Sequence, residues 1–200
     1  AVLVTWHGGT MEGPAVADIV SGDKNPSGHL TMSFPYSVGQ VPVHYNSKNT
    51  GRPAKSQFKA QGYSCSYVDI RNAPLFPFGY GLSYTTFAYG EATLNGDQIT
   101  VSVTNTGARA GQEVVQLYVS DSKASVVRPQ KELKGFAKVA LQPGETKQVT
   151  FTITPDMLAF FDADAHKWVV EPGKFVLHIA SSSADIHASL PYIVAETLTL

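Results

Sequence analysis

The sequence of 200 residues predicts a mixed fold: a partial α/β sandwich unit of strand, helix and strand, followed by an all-β sandwich. Three observations carry that prediction. The first 34 residues hold a continuous apolar run, a glycine break and then a helical apolar pattern. From about residue 87 onward, apolar and polar residues alternate in short segments separated by turn residues. Between the two stands Phe76-Pro-Phe-Gly-Tyr-Gly-Leu-Ser-Tyr-Thr-Thr-Phe87, where aromatic rings surround Gly79 and Gly81. A proline and two glycines this close exclude a regular helix, while rings so dense call for burial. The stretch reads as a joint between two regions of different grammar.

Ala1-Val-Leu-Val-Thr5 has the continuous apolar character of a strand buried on both faces. Gly8 and Gly9 break it. Thr10 is placed as the N-cap of a helix over residues 12–21, with Pro14 tolerated in the first turn and Gly22 as the stop. Ala15, Val16, Ile19 and Val20 share a helical face and are expected to be buried. Leu30, Met32 and Phe34 alternate and predict a second strand. One such unit cannot cover both faces of a parallel sheet, so other polypeptide is expected to supply the rest. The glycine turn from strand to helix points backbone N–H groups outward, which makes His7, Thr10, Met11 and Glu12 candidates for ligand contact. The competing reading is a plain corner with Trp6 in the core.

Residues 35–75 read as a connector, since Pro35, Pro42, Pro53 and Pro74 interrupt any long helix. Within it, residues 54–73 offer Tyr63 and Tyr67, whose faces suit an apolar ligand surface, and Asp69 and Arg71, which suit its polar groups, as candidates for substrate contact. The alternative is that Tyr67 and Asp69 pin the linker to the β-sandwich. Ile99, Val101 and Val103 then alternate with polar residues, as do Val115, Leu117 and Val119. Val149, Phe151 and Ile153 repeat the pattern, and Phe175, Leu177 and Ile179 close the series. Turn signals fall at Asn95-Gly96, residues 105–107, Pro143-Gly144 and Pro172-Gly173. Strands with one apolar face at this spacing build a sandwich.

A hydrophobic content of 43% supports a core, and a net charge of −1 gives no reason to expect nucleic acid. No apolar run reaches the roughly 20 residues that span a bilayer, so no membrane partner is expected. Cys65 is the single cysteine, which leaves no internal disulfide and no thiolate metal site. The histidines lack the spacing of a zinc protease, and Asp162-Ala-Asp-Ala-His166 reads as a turn rather than a calcium loop. No metal and no cofactor are expected. General acid/base work by carboxylates needs a pair held across a substrate bond, and nothing in the sequence pairs Glu12, Asp18, Asp23 or Asp69. No catalytic residue is assigned.

The joint resembles the signature that connects the second and third domains of glycoside hydrolase family 3 enzymes, chiefly bacterial β-glucosidases. Gly22-Asp-Lys-Asn-Pro-Ser-Gly-His-Leu30, Ser33-Phe-Pro-Tyr-Ser-Val-Gly-Gln-Val-Pro42, Tyr45-Asn46 and Thr50-Gly-Arg-Pro53 stand in the matching order. The resemblance covers nearly the whole chain. It implies the end of an α/β sandwich domain over residues 1–53, a connector and joint over 54–86, and a fibronectin type III-like sandwich over 87–200. It further implies a retaining β-glucosidase acting on a β-glucoside or oligosaccharide, with an aspartate nucleophile and a glutamate acid/base in an upstream catalytic segment. The family places its substrate pocket at the edge occupied here by residues 6–12. Its members often carry Gln-Glu-Gly-Gly-Asn where this chain has Thr10-Met-Glu-Gly-Pro14, so the carboxylate is displaced by one position. The resemblance favours a periplasmic or secreted location; a homodimer is left open. The alternative function is a non-catalytic β-sandwich module that binds carbohydrate or protein; the upstream sequence discriminates the two.

Overall fold

The computed structural model describes residues 2–54, 62–121 and 123–200. Helix α1 spans Glu12–Ser21, as the spacing predicts, and stops where Gly22 turns left-handed at φ 84°. Its start differs from expectation. Gly9–Met11 already form a 3₁₀ turn and Met11 holds the cap position, because Trp6 and Gly9 at positive φ wind the chain one step early. Thr10 therefore lies inside the turn rather than ahead of the helix. The flanking strands are also not formed: residues 2–5 make no ladder, and Phe34 makes a single bridge to Phe76. A parallel strand exists only where neighbours take its hydrogen bonds, and the described residues place none there. The predicted buried face of α1 is half open, with Ala15 and Val20 exposed and Val16 and Ile19 partly covered.

The remaining elements are β1 (Phe87–Tyr89), β2 (Thr93–Asn95), β3 (Gln98–Asn105), β4 (Gly111–Asp121), β5 (Glu132–Leu141), β6 (Thr146–Thr152), the short helix α2 (Pro155–Leu158), β7 (Phe160–Asp162), β8 (Lys167–Val170), β9 (Gly173–Ala180), β10 (Ile186–Val194) and β11 (Leu198–Thr199). In one sheet β3 is central, with β6 along one side and β1 and β2 end to end along the other. The facing sheet has the order β10-β9-β4-β5, all antiparallel, and β11-β8-β7 form a small third sheet. The alternating residues named from the sequence on β3, β4, β6 and β9, with Ile153, all lie in one core cluster between the two main sheets.

Strand β4 is covered on its other face too. Gln116 and Tyr118, 2% and 0% exposed, point away from the sandwich core and lie under the joint. Tyr45 stacks on Phe78 at 4.2 Å between ring centres and meets Tyr118 edge-on at 5.7 Å. Gln116 Nε2 donates to the carbonyls of Gly79 (3.0 Å) and Ser181 (2.6 Å), and Tyr118 donates to Gln116 Oε1. A Cβ on Gly79 would stand 2.1 Å from Gln116 Oε1, at a backbone φ of 78°. A Cβ on Gly81 would stand 2.6 Å from the Gly28 carbonyl. The two glycines of the joint are thus places where backbone lies directly on its neighbours.

The stretch at residues 22–30 clasps the joint from the other side. Leu30 N–H donates to the Tyr80 carbonyl and Gly79 N–H to that of Leu30, each at 2.8 Å. Asn25 Oδ1 accepts from Ser83 Oγ and the Tyr84 N–H, while its Nδ2 donates to the Ala110 carbonyl. Tyr84 hydroxyl reaches the Ile19 carbonyl at 2.7 Å, and Arg109, over the Tyr84 ring, donates to that of Gly22. Two motifs 50 residues apart in the sequence thereby become one structural unit, held on the sandwich by side-chain-to-backbone bonds.

Candidate functional site

The first candidate group lies on the turn before α1. Trp6 has a φ of 53°, an uncommon conformation for a bulky residue. Its ring meets Phe34 edge-on at 6.3 Å, Phe34 meets Phe76, and Phe76 stacks on Tyr80 at 5.4 Å. This row of rings ties the turn to the joint. Trp6 is nevertheless 57% exposed, so it is not the core tryptophan of a plain corner. Glu12 folds back over the turn so closely that a Cβ on Gly8 would stand 2.6 Å from Glu12 Cβ. His7, Thr10 and Met11 of this turn are exposed and Glu12 is half-buried.

The second group is built by the connector. Tyr36, Val68, Asp69, Ile70 and Arg71 line a recess of about 400 Å³, with the Arg71 guanidinium 5.3 Å over the Tyr36 ring. What shapes it is Gln40, which is fully buried. Its Oε1 accepts from the Tyr36 N–H at 2.6 Å, and its Nε2 donates to the carbonyls of Arg71 (2.6 Å) and Ala73 (3.2 Å). A buried primary amide with its groups satisfied holds two chain segments at fixed separation. Tyr67 hydroxyl donates to the Gln40 carbonyl at 3.3 Å and its N–H to Asn72 Oδ1 at 2.8 Å. The alternative role foreseen for Tyr67 is therefore corrected in its partner: it pins connector to connector, not connector to β-sandwich. Tyr63 is 92% exposed.

The eight candidate residues thus divide. Asp69 and Arg71 come together with Tyr36; His7, Thr10, Met11 and Glu12 line a separate turn; Tyr63 and Tyr67 line neither. Tyr36 and Gln40 were not foreseen, because a glutamine's burial depends on distant carbonyls that leave no local pattern. Lys55, Phe58 and Lys59 of the connector lie outside the described residues. At Asp162 the carboxylate Oδ1 accepts from the N–H groups of Asp164 (3.0 Å) and Ala165 (3.1 Å), closing the hairpin from β7 to β8.

Comparison with known proteins adds two family matches. Residues 1–84 match the glycosyl hydrolase family 3 C-terminal domain, and residues 113–183 match the fibronectin type III-like domain. The chain is 48% identical over 194 residues to a periplasmic beta-glucosidase of Salmonella typhimurium, covering 93% of this chain and 25% of that protein. It is 49% identical over 194 residues to a beta-xylosidase of Formosa agariphila, covering 92% and 26%. A crystal structure of beta-glucosidase from Listeria innocua in complex with glucose superposes with a TM-score of 0.89 at 40% identity, over 96% of this chain and 27% of that one. The chain spans about a quarter of the length of each.

Proposed function

The chain belongs to the C-terminal region of glycoside hydrolase family 3, and from that premise we propose that it completes an enzyme hydrolysing terminal β-linked glucose with retention of configuration. The observation that carries this reading is the order of the two family matches, joined by a stretch whose glycines and rings fit one docking geometry. The catalytic carboxylates belong to an upstream segment, about 5–5.5 Å apart as retention requires. In this reading residues 1–53 finish the α/β sandwich, 54–86 connect and join, and 87–200 form the scaffold.

The contribution of this chain to substrate is at the cleft edge. Asp69 and Arg71 accept from and donate to sugar hydroxyls beside the Tyr36 ring, and the rim of His7, Thr10, Met11 and Glu12 forms a second edge. Tyr67 acts as a positioning residue through Gln40, and Tyr63 offers its exposed ring face to a longer oligosaccharide. Relatives named for glucoside and for xyloside are equally similar, so discrimination at the sugar 6-position is assigned to the upstream segment.

The test compares residues 1–200 with the same chain joined to its upstream segment, on an aryl β-glucoside. Only the joined protein is expected to turn over, releasing β-glucose first when followed by NMR. Turnover by residues 1–200 alone, abolished by Glu12→Gln, would overturn the assignment. In the joined protein Asp69→Ala is expected to raise KM about tenfold with Tm unchanged, the mark of lost substrate binding. Tyr67→Ala is expected to lower Tm.

A further inference from the structure

A cleft of about 630 Å³ opens between the joint and the edge of the sandwich where β1 comes against β10. Its size is that of small-ligand sites in general. None of the residues singled out as candidate ligand contacts from the sequence lines it.

Glu113 sits at its back. On β4 it is in step with Val115, Leu117 and Val119, so it faces inward and is only 7% exposed. A carboxyl on the core side of a sandwich is costly to bury unless it is bonded. Tyr89 from the opposite sheet donates to its Oε1 at 2.8 Å. Among the described residues that is the carboxyl's hydrogen-bond partner, and Glu113 is one of the residues that line the cleft. Burial and the neighbouring Glu113 push the Tyr89 hydroxyl far above its ordinary range, which keeps it a donor at any physiological pH.

The mouth is shaped by an irregularity in β10. The register slips between Ile186 and Ala188, which makes His187 the extra residue of a bulge, and bulges re-aim side chains. Its ring lies flat on Tyr89, 3.8 Å between centres and 8° between planes, and its Nε2 is 3.5 Å from Asp185 Oδ2. Tyr80 and Phe87 are among the walls, and the lining holds two carboxyls, Glu113 and Asp185, and two imidazoles, His29 and His187, but no lysine or arginine. With the imidazoles neutral, such a lining disfavours anions. It offers acceptors to hydroxyl groups and flat apolar walls to C–H faces.

We propose that this cleft binds a neutral polyhydroxylated ligand, a mono- or disaccharide, with its hydroxyls on Glu113 and Asp185 and a ring face against Tyr80 and Phe87. The proposal does not rest on the hydrolytic reading, and its test measures binding without turnover. The 200-residue chain is titrated with glucose and with cellobiose and followed by amide NMR. Saturable shifts confined to residues 80–89, 113 and 181–187 are expected, weakened about tenfold in both Asp185→Asn and His187→Ala. Both residues lie at the mouth, so an unchanged Tm identifies the loss as one of binding. The absence of saturable shifts, or shifts that survive both substitutions, overturns the proposal. So does displacement of the sugars by a simple alkylammonium ion at lower concentration, which would assign the cleft to cations.

Discussion

The sandwich and the helical unit ahead of it carry the same kinds of apolar residue and bury them to opposite extents. Val101, Val103 and Leu117 are at most 1% exposed, whereas Val20 is 72% and Val2 78% exposed. Strands of period two find partners within this chain, so their inward faces close on each other. One helix and two extended segments meet no second layer among the described residues, and much of their apolar surface stays open. A correct local pattern therefore states which face wants burial, and only the supply of partners decides whether burial occurs. Between the two regions the chain uses polar clamps instead: Asn25, Arg109 and Gln116 each bond to backbone across the junction.

The largest expected effect tests the sandwich side of that contrast. Phe151→Ala removes a ring that is 8% exposed in the core and is expected to cost about 3–5 kcal/mol in urea unfolding. The matched change on the other side, Val20→Ala, is expected to stay within about 0.5 kcal/mol in the same chain. Equal losses would abolish the distinction between the two regions. In the chain joined to its upstream segment, a rise in the Val20→Ala cost would sharpen it, because the missing layer would then be present.

The junction itself comes next. Gly79→Ala introduces a methyl onto buried Gln116 in a left-handed backbone and is expected to cost about 2–3 kcal/mol. Asn25→Ala leaves the Tyr84 N–H and Ser83 hydroxyl without their acceptor, and a loss of about 1–2 kcal/mol is expected. If either variant melts at the wild-type temperature, the clamps do not hold the two regions together.

The smallest effect is one of pH and should be confined to the sandwich. His178 on β9 contacts Ser120 Oγ at 3.0 Å and Ser189 Oγ at 2.8 Å. Burial first, and the charge of Lys131 second, hold its pKa below the ordinary value. As pH falls below about 6.5 the unfolded chain takes up this proton before the folded one, so stability declines until the folded-state pKa is passed. His178→Gln is expected to remove that part of the acid decline in a series of melts from pH 7.5 to 5. A variant curve parallel to wild type would assign the decline to other groups.

What the sequence determined by itself were the features in which each residue answers to near neighbours. The alternation of Ile99, Val101 and Val103 named the core face of β3, and Pro14 and Gly22 framed α1 over the residues it occupies. The ring-and-glycine stretch announced a joint, because few backbones accept Pro77, Gly79 and Gly81 together. Tertiary structure decided everything that depends on a distant partner. It put Gln116 and Tyr118 under cover on the face of β4 where alternation expects solvent, and buried Gln40 between carbonyls 31 and 33 residues away. It brought Tyr89 to Glu113 across two sheets. It also left residues 2–5 unpaired, since an apolar run specifies a wish for neighbours and hydrogen-bonding strands must provide them.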